Sequence, residues 1–214
     1  MTAMTLHGYW RSTAAYRVRI ALNLKGLAYD QITHDLRTGA QRADAYRRIA
    51  PQGLVPALDT GDAILTQSPA ILEWLEETHP APPLLPADPV ARAIVRGMAA
   101  TIACDIHPIN NLRVLTTLRR DLAATEEQVT AWIATWIAAG FEALETQIAR
   151  HGGGFAHGAT PTLADCHLVP QVYAAERFAV DLTPWPHLTA AAANARALDA
   201  VAAAHPDRQP DADA

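Results

Sequence analysis

The sequence predicts an α/β domain followed by an all-α domain. Short extended and helical segments alternate over the first 80 residues, whereas helical periodicity alone persists after residue 88. A proline-rich stretch at residues 80–86 separates the two patterns and contains too much proline for regular structure. We therefore expect domains at residues 1–80 and 88–214, joined by a linker at residues 81–87.

The first domain is predicted to contain a β-α-β-α unit, a β-hairpin and a third helix. Ser68 and Pro69 provide an N-cap and a proline at the first helical position for that third helix, which runs to about Thr78. Pro56 falls inside a predicted hairpin strand, where proline is unusual because it cannot donate a ladder hydrogen bond. The other predicted elements are a strand at Leu6–Trp10, a helix ending just before Gly26, extended chain at Tyr29–Leu36, a short helix at Arg42–Ile49, and hairpin strands at Leu54–Leu58 and Ala63–Thr66.

The second domain is predicted to be helical throughout. Asp88 and Pro89 open a long helix toward Arg119, and two capping boxes open later helices. These boxes are Thr125 with Gln128, followed by Ile133, Trp136, Ile137 and Phe141 as core residues at helical spacing, and Thr162 with Asp165, whose helix runs to about Arg177. Gly152–Gly154 is predicted to be a loop without a phosphate-binding role, since no strand precedes it. The polar segment His205–Ala214 is expected to fray.

Composition excludes several classes of protein. Half of the 214 residues are hydrophobic and 18% are charged, which is typical of a globular protein and not of a disordered one. A net charge of −5 gives no general attraction to nucleic acid, and no apolar run is long enough to span a membrane. We expect a soluble cytoplasmic protein with neither nucleic acid nor membrane as a partner.

The two cysteines do not predict a metal site. Cys104 and Cys166 lie far apart and have neither CxxC nor Cys/His ligand spacing. A disulfide is also unexpected in the cytoplasm, so we expect two buried thiols and no metal.

A β-α-β unit followed by a hairpin and helix, with a proline before the third strand, is typical of a thioredoxin-like fold, and an all-helical domain after it is typical of cytosolic glutathione transferases. Residues 11–22, R-S-T-A-A-Y-R-V-R-I-A-L, resemble the zeta-class signature S-S-C-x-W-R-V-R-I-A-L. Further resemblances to this class follow in register at residues 51–56, 67–77, 105–115, 168–172 and 176–184, and at the C-terminal R-Q-P-D of residues 208–211. Together they span nearly the whole chain and imply the cytosolic glutathione transferase fold.

The zeta class includes maleylacetoacetate isomerases and glutathione-dependent maleylpyruvate isomerases. The resemblance therefore implies a homodimeric cis–trans isomerase of a small diacid with glutathione as its cofactor, in which a thiolate adds to the double bond, permits rotation and leaves. Two alternatives remain open at this point. One is a glutathione transferase or dehalogenase acting on small α-halo acids, and the other is a non-catalytic glutathione-binding protein, because Ala14 replaces the cysteine of the signature.

Three consecutive residues are the candidate catalytic groups. Ser12 and Thr13 stand where a helix begins, and the helix dipole together with hydroxyl donors lowers the pKa of a nearby thiol. Ser12 could instead be an ordinary N-cap, or serve in both roles. Arg11 lies beside the expected sulfur position and is the first candidate for holding a substrate carboxylate.

The resemblance also implies a set of glutathione-binding residues, namely Gln41, Val55, Pro56, Gln67, Ser68, His107 and Asn111. It implies a cis bond between Val55 and Pro56 that turns the Val55 backbone toward the cysteinyl part of glutathione, and a γ-glutamyl carboxylate site at the helix that follows Gln67. The alternatives are an edge-strand proline at Pro56, a capping role alone for Ser68, and a solvated side chain at Gln41.

Arg113 and Arg177 match family positions that hold substrate carboxylates in a cleft between the two domains, although an isolated arginine is more often a surface residue. His107 and Asn111 are four residues apart and are predicted to share a helix face, where they either line this cleft or cap and cross-link helices. Of Arg17 and Arg19 in the first helix, at least one is expected to be structural.

Overall fold

The computed structural model describes residues 4–213. The described chain forms two compact units, of which the first contains the residues up to Leu84 together with those from Ala197 onward. The first unit carries a four-stranded sheet in the order β2-β1-β3-β4, in which β1 is parallel to β2 and antiparallel to β3. Its elements are β1 (Met4–Gly8), α1 (Thr13–Leu24), β2 (Tyr29–Thr33), α2 (Asp44–Arg47), β3 (Ala57–Asp59), β4 (Ile64–Thr66), α3 (Ser68–Thr78) and, near the C-terminus, α9 (Asp199–Ala203).

The second unit, Leu85–Arg196, is helical. Its α-helices are α4 (Pro89–Ala100), α5 (Leu112–Arg120), α6 (Glu126–His151), α7 (Leu163–Arg177) and α8 (Pro186–Arg196). A π-helical turn at Thr101–Ile106 and a 3-10 turn at Pro108–Asn110 connect α4 to α5. The predicted α/β thioredoxin-like architecture followed by an all-α region is therefore confirmed.

The core of the first unit lies between the sheet and two helices. The predicted apolar face of α1, Ala14, Val18, Ala21 and Leu22, is buried, but burial extends to every residue from Thr13 to Leu22. α1 packs against α3. α1 ends before Gly26, whose φ of +65° is the left-handed conformation that favours glycine at this position.

Several predicted boundaries in this unit differ from the structure, and three of them bear on the site. The first strand ends at Gly8, because the Ser12 amide bonds the Tyr9 carbonyl at 3.0 Å and closes a turn. Pro56 precedes β3, so it removes no ladder hydrogen bond and is not an edge-strand proline. α3 begins at Ser68, so its N-cap residue is Gln67 and the prediction that Ser68 caps this helix is wrong.

The second unit confirms both predicted capping boxes, but the long helix predicted from Asp88 toward Arg119 is wrong. The chain instead passes through the π-helical and 3-10 turns, and the side chain of Asn111 caps α5 by accepting the Arg113 amide at 3.1 Å. Pro108 accounts for part of the break, since it lacks the amide needed to continue the helical ladder. α6 approaches the π-helical turn closely, because a Cβ at Gly140 would lie 2.2 Å from Ile106.

Two side-chain predictions in this unit are wrong. Trp136 is 40% exposed, while Ile133, Ile137 and Phe141 on the same helix are buried as predicted. Cys104 is exposed, and only Cys166 is a buried thiol. Cys104 lies in the π-helical turn, whose geometry the uninterrupted-helix prediction did not anticipate.

Asp165 supports the α7 capping box more extensively than the motif requires. Its carboxylate accepts the Ala156 amide at 2.8 Å, the Thr162 amide at 2.8 Å and the Thr162 hydroxyl at 2.9 Å, all within the buried interior. Replacement of Asp165 by alanine would leave these donors unpaired, so we expect a loss of about 2–4 kcal/mol in the free energy of unfolding. Urea denaturation checks this value, with Thr125→Ala at the exposed box of α6 expected to cost about 1 kcal/mol. Equal losses in the two variants would contradict the prediction.

The C-terminal segment does not fray as expected. Within the described residues, Pro206 and Gln209 are buried, and Gln209 donates to the carbonyls of Ala203 and His205 at 3.0 and 2.8 Å. The predicted domain boundaries place this segment in the second domain, whereas its contacts assign it to the first unit. None of the helices in residues 4–213 has the combination of length and apolar character needed to cross a membrane.

Candidate active site

Ser12 caps the first turn of α1. Its Oγ accepts the Ala15 amide at 3.2 Å, and its extended backbone, with φ −69° and ψ 115°, is that of an N-cap residue. The half-buried hydroxyl oxygen is therefore committed to the helix, while its proton can still be donated to a ligand. The capping role and the predicted role beside a thiolate are compatible at this position.

Thr13 and Arg11 flank Ser12. Thr13 is the first residue of α1 and is buried, with 9% of its surface exposed. Arg11 is half-buried, and its guanidinium lies 5.2 Å from the centre of the Trp10 ring. Ala14, which replaces the cysteine of the zeta signature, is buried in the helix. This end of α1 therefore carries two hydroxyl groups, the positive end of a helix dipole and one arginine.

The start of α3 has the features of an anion site. Gln67 precedes the helix with a φ of +69°, a strained conformation for a non-glycine residue, and its side chain makes no capping bond. The buried Ser68 hydroxyl accepts a hydrogen bond from Nη1 of the buried Arg17 at 3.3 Å. The uncapped amides at this end of α3 remain available to a carboxylate.

The chain before β3 presents an unpaired backbone. The Val55–Pro56 bond is cis, as the resemblance implied. The Tyr46 hydroxyl fixes this segment by donating to the Leu54 carbonyl at 2.8 Å. Among the hydrogen bonds of residues 4–213, none uses the Val55 amide or carbonyl. An extended peptide can therefore pair with Val55.

Gln41 lies close to the segment that precedes Val55. It is buried, so the alternative of a solvated side chain is wrong, and its Oε1 has no hydrogen-bond partner in the described chain. Its carbonyl lies 3.1 Å from the position a Cβ would take on Gly53, whose φ is +62°. Gln52, next to Gly53, accepts a 2.7 Å hydrogen bond from Gln67. Through Gly53 and Gln52, the structure thus connects Gln41 and the start of α3 to the segment that carries Val55.

These features fit glutathione. The tripeptide has an α-carboxylate on its γ-glutamyl residue, a cysteinyl backbone and a glycyl terminus. The uncapped start of α3, the Val55 backbone and the Gln41 amide are complementary to these three parts in order. The buried Oε1 of Gln41 has no partner in the described chain, and it can accept the amide N–H of the glycyl residue, since buried polar atoms are rarely left without a partner.

The remaining predicted residues lie in the second unit. His107 directly follows the π-helical turn as its C-cap residue and is half-buried. The prediction that His107 and Asn111 share a helix face is wrong, because a 3-10 turn separates them and Asn111 caps α5. Arg113 and Arg177 are exposed, and the Arg177 guanidinium lies 5.0 Å from the centre of the Phe178 ring. Within the described chain no group of three or more potential metal-ligating side chains is found.

Comparison with known proteins places these observations in a family. The model of the glutathione S-transferase N-terminal domain matches residues 6–83. The chain is 52% identical over 210 residues to the maleylpyruvate isomerase of a Ralstonia species, covering 97% of this chain and 99% of that protein. It also resembles a solved holo structure of maleylpyruvate isomerase, described as a bacterial glutathione S-transferase of the zeta class, with a TM-score of 0.96, 51% identity, and coverage of 98% and 100%. The chain belongs to the zeta class of the glutathione S-transferase family.

A second solved relative provides information on ligands. It is the maleylacetoacetate isomerase of Methylobacterium extorquens AM1 with bound malonate and glutathione, at 42% identity and a TM-score of 0.94, covering 98% of this chain and 100% of that one. Glutathione is thus a ligand of the zeta-class relatives, in agreement with the fit of the residues described above.

Some contacts in this zeta-class site were not predicted from the sequence. Arg17 and Ser68 are 51 residues apart, and no spacing rule connects them. Arg19 is structural, as expected for at least one of the two arginines, because it donates to the carbonyls of Trp10 and Ala204. The sequence signal for such a contact is an arginine on the apolar side of α1, because an arginine is rarely buried without a specific partner.

A pair of histidines packs against Tyr46, which holds the segment before Val55. His7 Nδ1 and His34 Nε2 lie 3.0 Å apart, and the His34 ring lies 4.0 Å from the ring centre of Tyr46, whose hydroxyl holds Leu54. Burial lowers the pKa of His7, although the carboxylate of Asp59 opposes this effect. Burial, and secondarily the neighbouring His7, lowers the pKa of His34. Both rings are therefore neutral over a wider pH range when the chain is folded.

We expect acid to destabilise the first unit through this pair. Because the folded pKa values lie below the unfolded value of 6.5, the unfolded chain binds protons more tightly, and stability is lost as pH falls from about 6.5 toward the folded pKa values. Thermal unfolding between about pH 8 and pH 5 measures this slope. His34→Gln should reduce the slope, whereas His187→Gln, at an exposed site of the second unit, should leave it unchanged. An unchanged slope in His34→Gln would contradict the prediction.

Proposed function

We propose that this protein is a glutathione-dependent cis–trans isomerase that converts maleylpyruvate or maleylacetoacetate to the corresponding fumaryl isomer. The observation that carries the proposal is the Ser12 hydroxyl at the start of α1, with its oxygen bonded to Ala15 and its proton available to a ligand. A relative with 52% identity is named maleylpyruvate isomerase, which supports the same activity.

Bound glutathione supplies a thiolate that can add to a conjugated double bond, allow rotation about the resulting single bond, and leave. Ser12 stabilises the negative charge on sulfur by donating its hydroxyl proton, and the positive end of the α1 dipole acts in the same direction. Thr13, at the first helical position, supports the same site. This arrangement needs no protein cysteine, so Ala14 does not argue against catalysis.

The γ-glutamyl carboxylate of glutathione binds at the start of α3. The Ser68 hydroxyl accepts from Arg17, so its own proton is available for this carboxylate, together with the uncapped α3 amides. The Val55 backbone pairs with the cysteinyl part, and Gln41 binds the glycyl end. Gln67 orients the start of α3 through its bond to Gln52. We also propose His107 and Asn111 as glutathione-binding residues, as the family resemblance implies.

Arg11 holds a carboxylate of the diacid substrate, because it is next in the chain to the thiolate-stabilising Ser12. A guanidinium binds a carboxylate with two parallel hydrogen bonds, which keeps one end of the diacid fixed while the other rotates. Arg113 and Arg177 are assigned to the second carboxylate. The malonate in a zeta-class relative is a small diacid and supports this ligand class.

The assembly and location are part of the same proposal. We assign a cytoplasmic homodimer, as the family resemblance implies. Light scattering of the purified protein tests the assembly, and a mass equal to one chain would contradict the homodimer.

The activity is tested by following the absorbance of maleylpyruvate and of maleylacetoacetate with the purified protein, each with and without glutathione. Glutathione-dependent conversion with full recovery of free glutathione supports the isomerase. A stable glutathione conjugate formed from an α-halo acid, without isomerisation, would favour the transferase or dehalogenase alternative. Glutathione binding without any turnover would favour the non-catalytic alternative.

A further inference from the structure

We propose that the C-terminal segment, through Asp211, positions the turn that carries Arg11 and Ser12. This inference rests on the proposed function, since it assigns a positioning residue to that site. Asp211 is not placed in contact with glutathione or substrate. It acts through the backbone of Trp10, 201 residues away in sequence.

The turn in question spans Tyr9–Ser12 and connects β1 to α1. The Ser12 amide donates to the Tyr9 carbonyl at 3.0 Å, so Trp10 and Arg11 occupy the two corner positions of the turn. The direction of the Arg11 side chain and the position of the Ser12 hydroxyl therefore depend on the backbone conformation at Trp10. The turn's own hydrogen bond uses neither the amide nor the carbonyl of Trp10.

Both backbone groups of Trp10 are held by other parts of the first unit. The Trp10 amide donates to Oδ2 of Asp211 at 3.0 Å. The Trp10 carbonyl accepts from Nη2 of the buried Arg19 at 2.8 Å, and Nε of the same guanidinium donates to the Ala204 carbonyl at 3.1 Å. The C-terminal segment thus contacts the turn directly through Asp211 and indirectly through Arg19.

The segment that carries Asp211 is itself anchored. The buried Gln209 accepts from Gln31 on β2 at 3.1 Å, and Asn23 on α1 donates to the Ala200 carbonyl at 2.9 Å. The ion pair of Arg37 with Asp213, two residues beyond Asp211, is open to solvent and is not one of these anchors. These anchors bring the carboxylate to the Trp10 amide in a defined position, so the contact is not that of a mobile terminus.

Loss of the Asp211 carboxylate would leave the Trp10 amide without a partner beside a side chain that is only 8% exposed. The turn would then sample other conformations, which would change the relative positions of the Arg11 and Ser12 side chains. Small displacements of such groups reduce catalysis strongly, because the groups must be aligned with the reacting atoms. We therefore expect the effect on turnover to exceed the effect on glutathione affinity.

The experiment compares three variants of the full chain. Asp211→Ala removes the acceptor, Asp211→Asn retains an acceptor oxygen without the charge, and Asp213→Ala removes an exposed carboxylate from the same segment as a matched control. In Asp211→Ala we expect isomerase kcat to fall about tenfold, glutathione affinity to change less than about threefold, and hydrogen exchange of the Trp10 amide to accelerate at least about tenfold. Asp211→Asn should restore most of the kcat, and Asp213→Ala should resemble the unmodified protein.

Two readouts do not depend on isomerase activity. The first is the exchange rate of the Trp10 amide. The second is the pH midpoint at which bound glutathione becomes a thiolate, and this midpoint should rise in Asp211→Ala. If the unmodified protein does not isomerise either substrate, the proposed function fails while these readouts still test the positioning role. An unchanged Trp10 exchange rate, an unchanged thiolate midpoint, or equal effects of Asp211→Ala and Asp213→Ala would overturn the inference.

Discussion

Replacement of Ser12 by alanine is expected to reduce isomerase turnover by about tenfold or more. Removal of one preorganised donor typically costs a factor of about 10²–10³, and the α1 dipole and Thr13 remain to stabilise part of the charge. The measurement is kcat at saturating glutathione, together with the ultraviolet absorbance of the bound thiolate. Turnover close to that of the unmodified protein would rule out the assigned role of Ser12.

The capping role of Ser12 has to be separated from this effect. Because Oγ accepts the Ala15 amide, Ser12→Ala should also lower the free energy of unfolding by about 1 kcal/mol. Ser12→Asp keeps a good N-cap but places a negative charge beside the sulfur, so it should retain stability and lose turnover. Ser12→Thr keeps both functions and should retain most of the activity.

A helix cap in the second unit provides the matched control. Asp88 caps α4 by accepting the Ala91 amide at 2.8 Å. Asp88→Ala should therefore cost about as much stability as Ser12→Ala without reducing turnover. If both variants lost turnover equally, the loss would follow from stability and the thiolate role of Ser12 would be contradicted.

Local signals predicted much of the fold. The capping boxes of α6 and α7 are confirmed because each is complete within four residues, and the structure makes the hydrogen bonds that the motif defines. The break between α4 and α5 was missed although Pro108 was visible, because an apolar pattern at helical spacing continues across it. The docked C-terminus was also missed, since a polar segment gives no local signal of the partners that bury Gln209.

The residues of the candidate site also differ in whether a local sequence signal could identify them. Ser12 and Thr13 could be assigned from their position at a helix start, and the cis Val55–Pro56 bond from the family resemblance. By contrast, the contacts of Arg17 with Ser68 and of Asp211 with Trp10 join residues separated by 51 and 201 positions. Such contacts depend on the packing of α1, α3 and the C-terminal segment, which no spacing rule specifies.

Replacement of Arg11 by methionine is expected to weaken the handling of substrate without weakening glutathione binding. The half-buried guanidinium lies against the Trp10 ring, which leaves its charged edge available for a carboxylate. Removing one partner of a desolvated charge pair costs about 2–5 kcal/mol, so kcat/KM for the diacid should fall by about 30-fold or more. Steady-state kinetics measures this fall, and calorimetric titration measures glutathione affinity.

Arg48→Met and Arg11→Lys show whether the loss is specific to a guanidinium at this position. Arg48 is an exposed arginine of the first unit, and its replacement removes the same charge from the chain without touching the α1 turn. We expect it to retain full kcat/KM. Lysine at position 11 keeps the charge but cannot form two parallel bonds to a carboxylate, so it should recover only part of the loss. If Arg11→Met instead weakened glutathione binding as much as kcat/KM, Arg11 would belong to the glutathione site, and the substrate carboxylate would have to be held by other arginines.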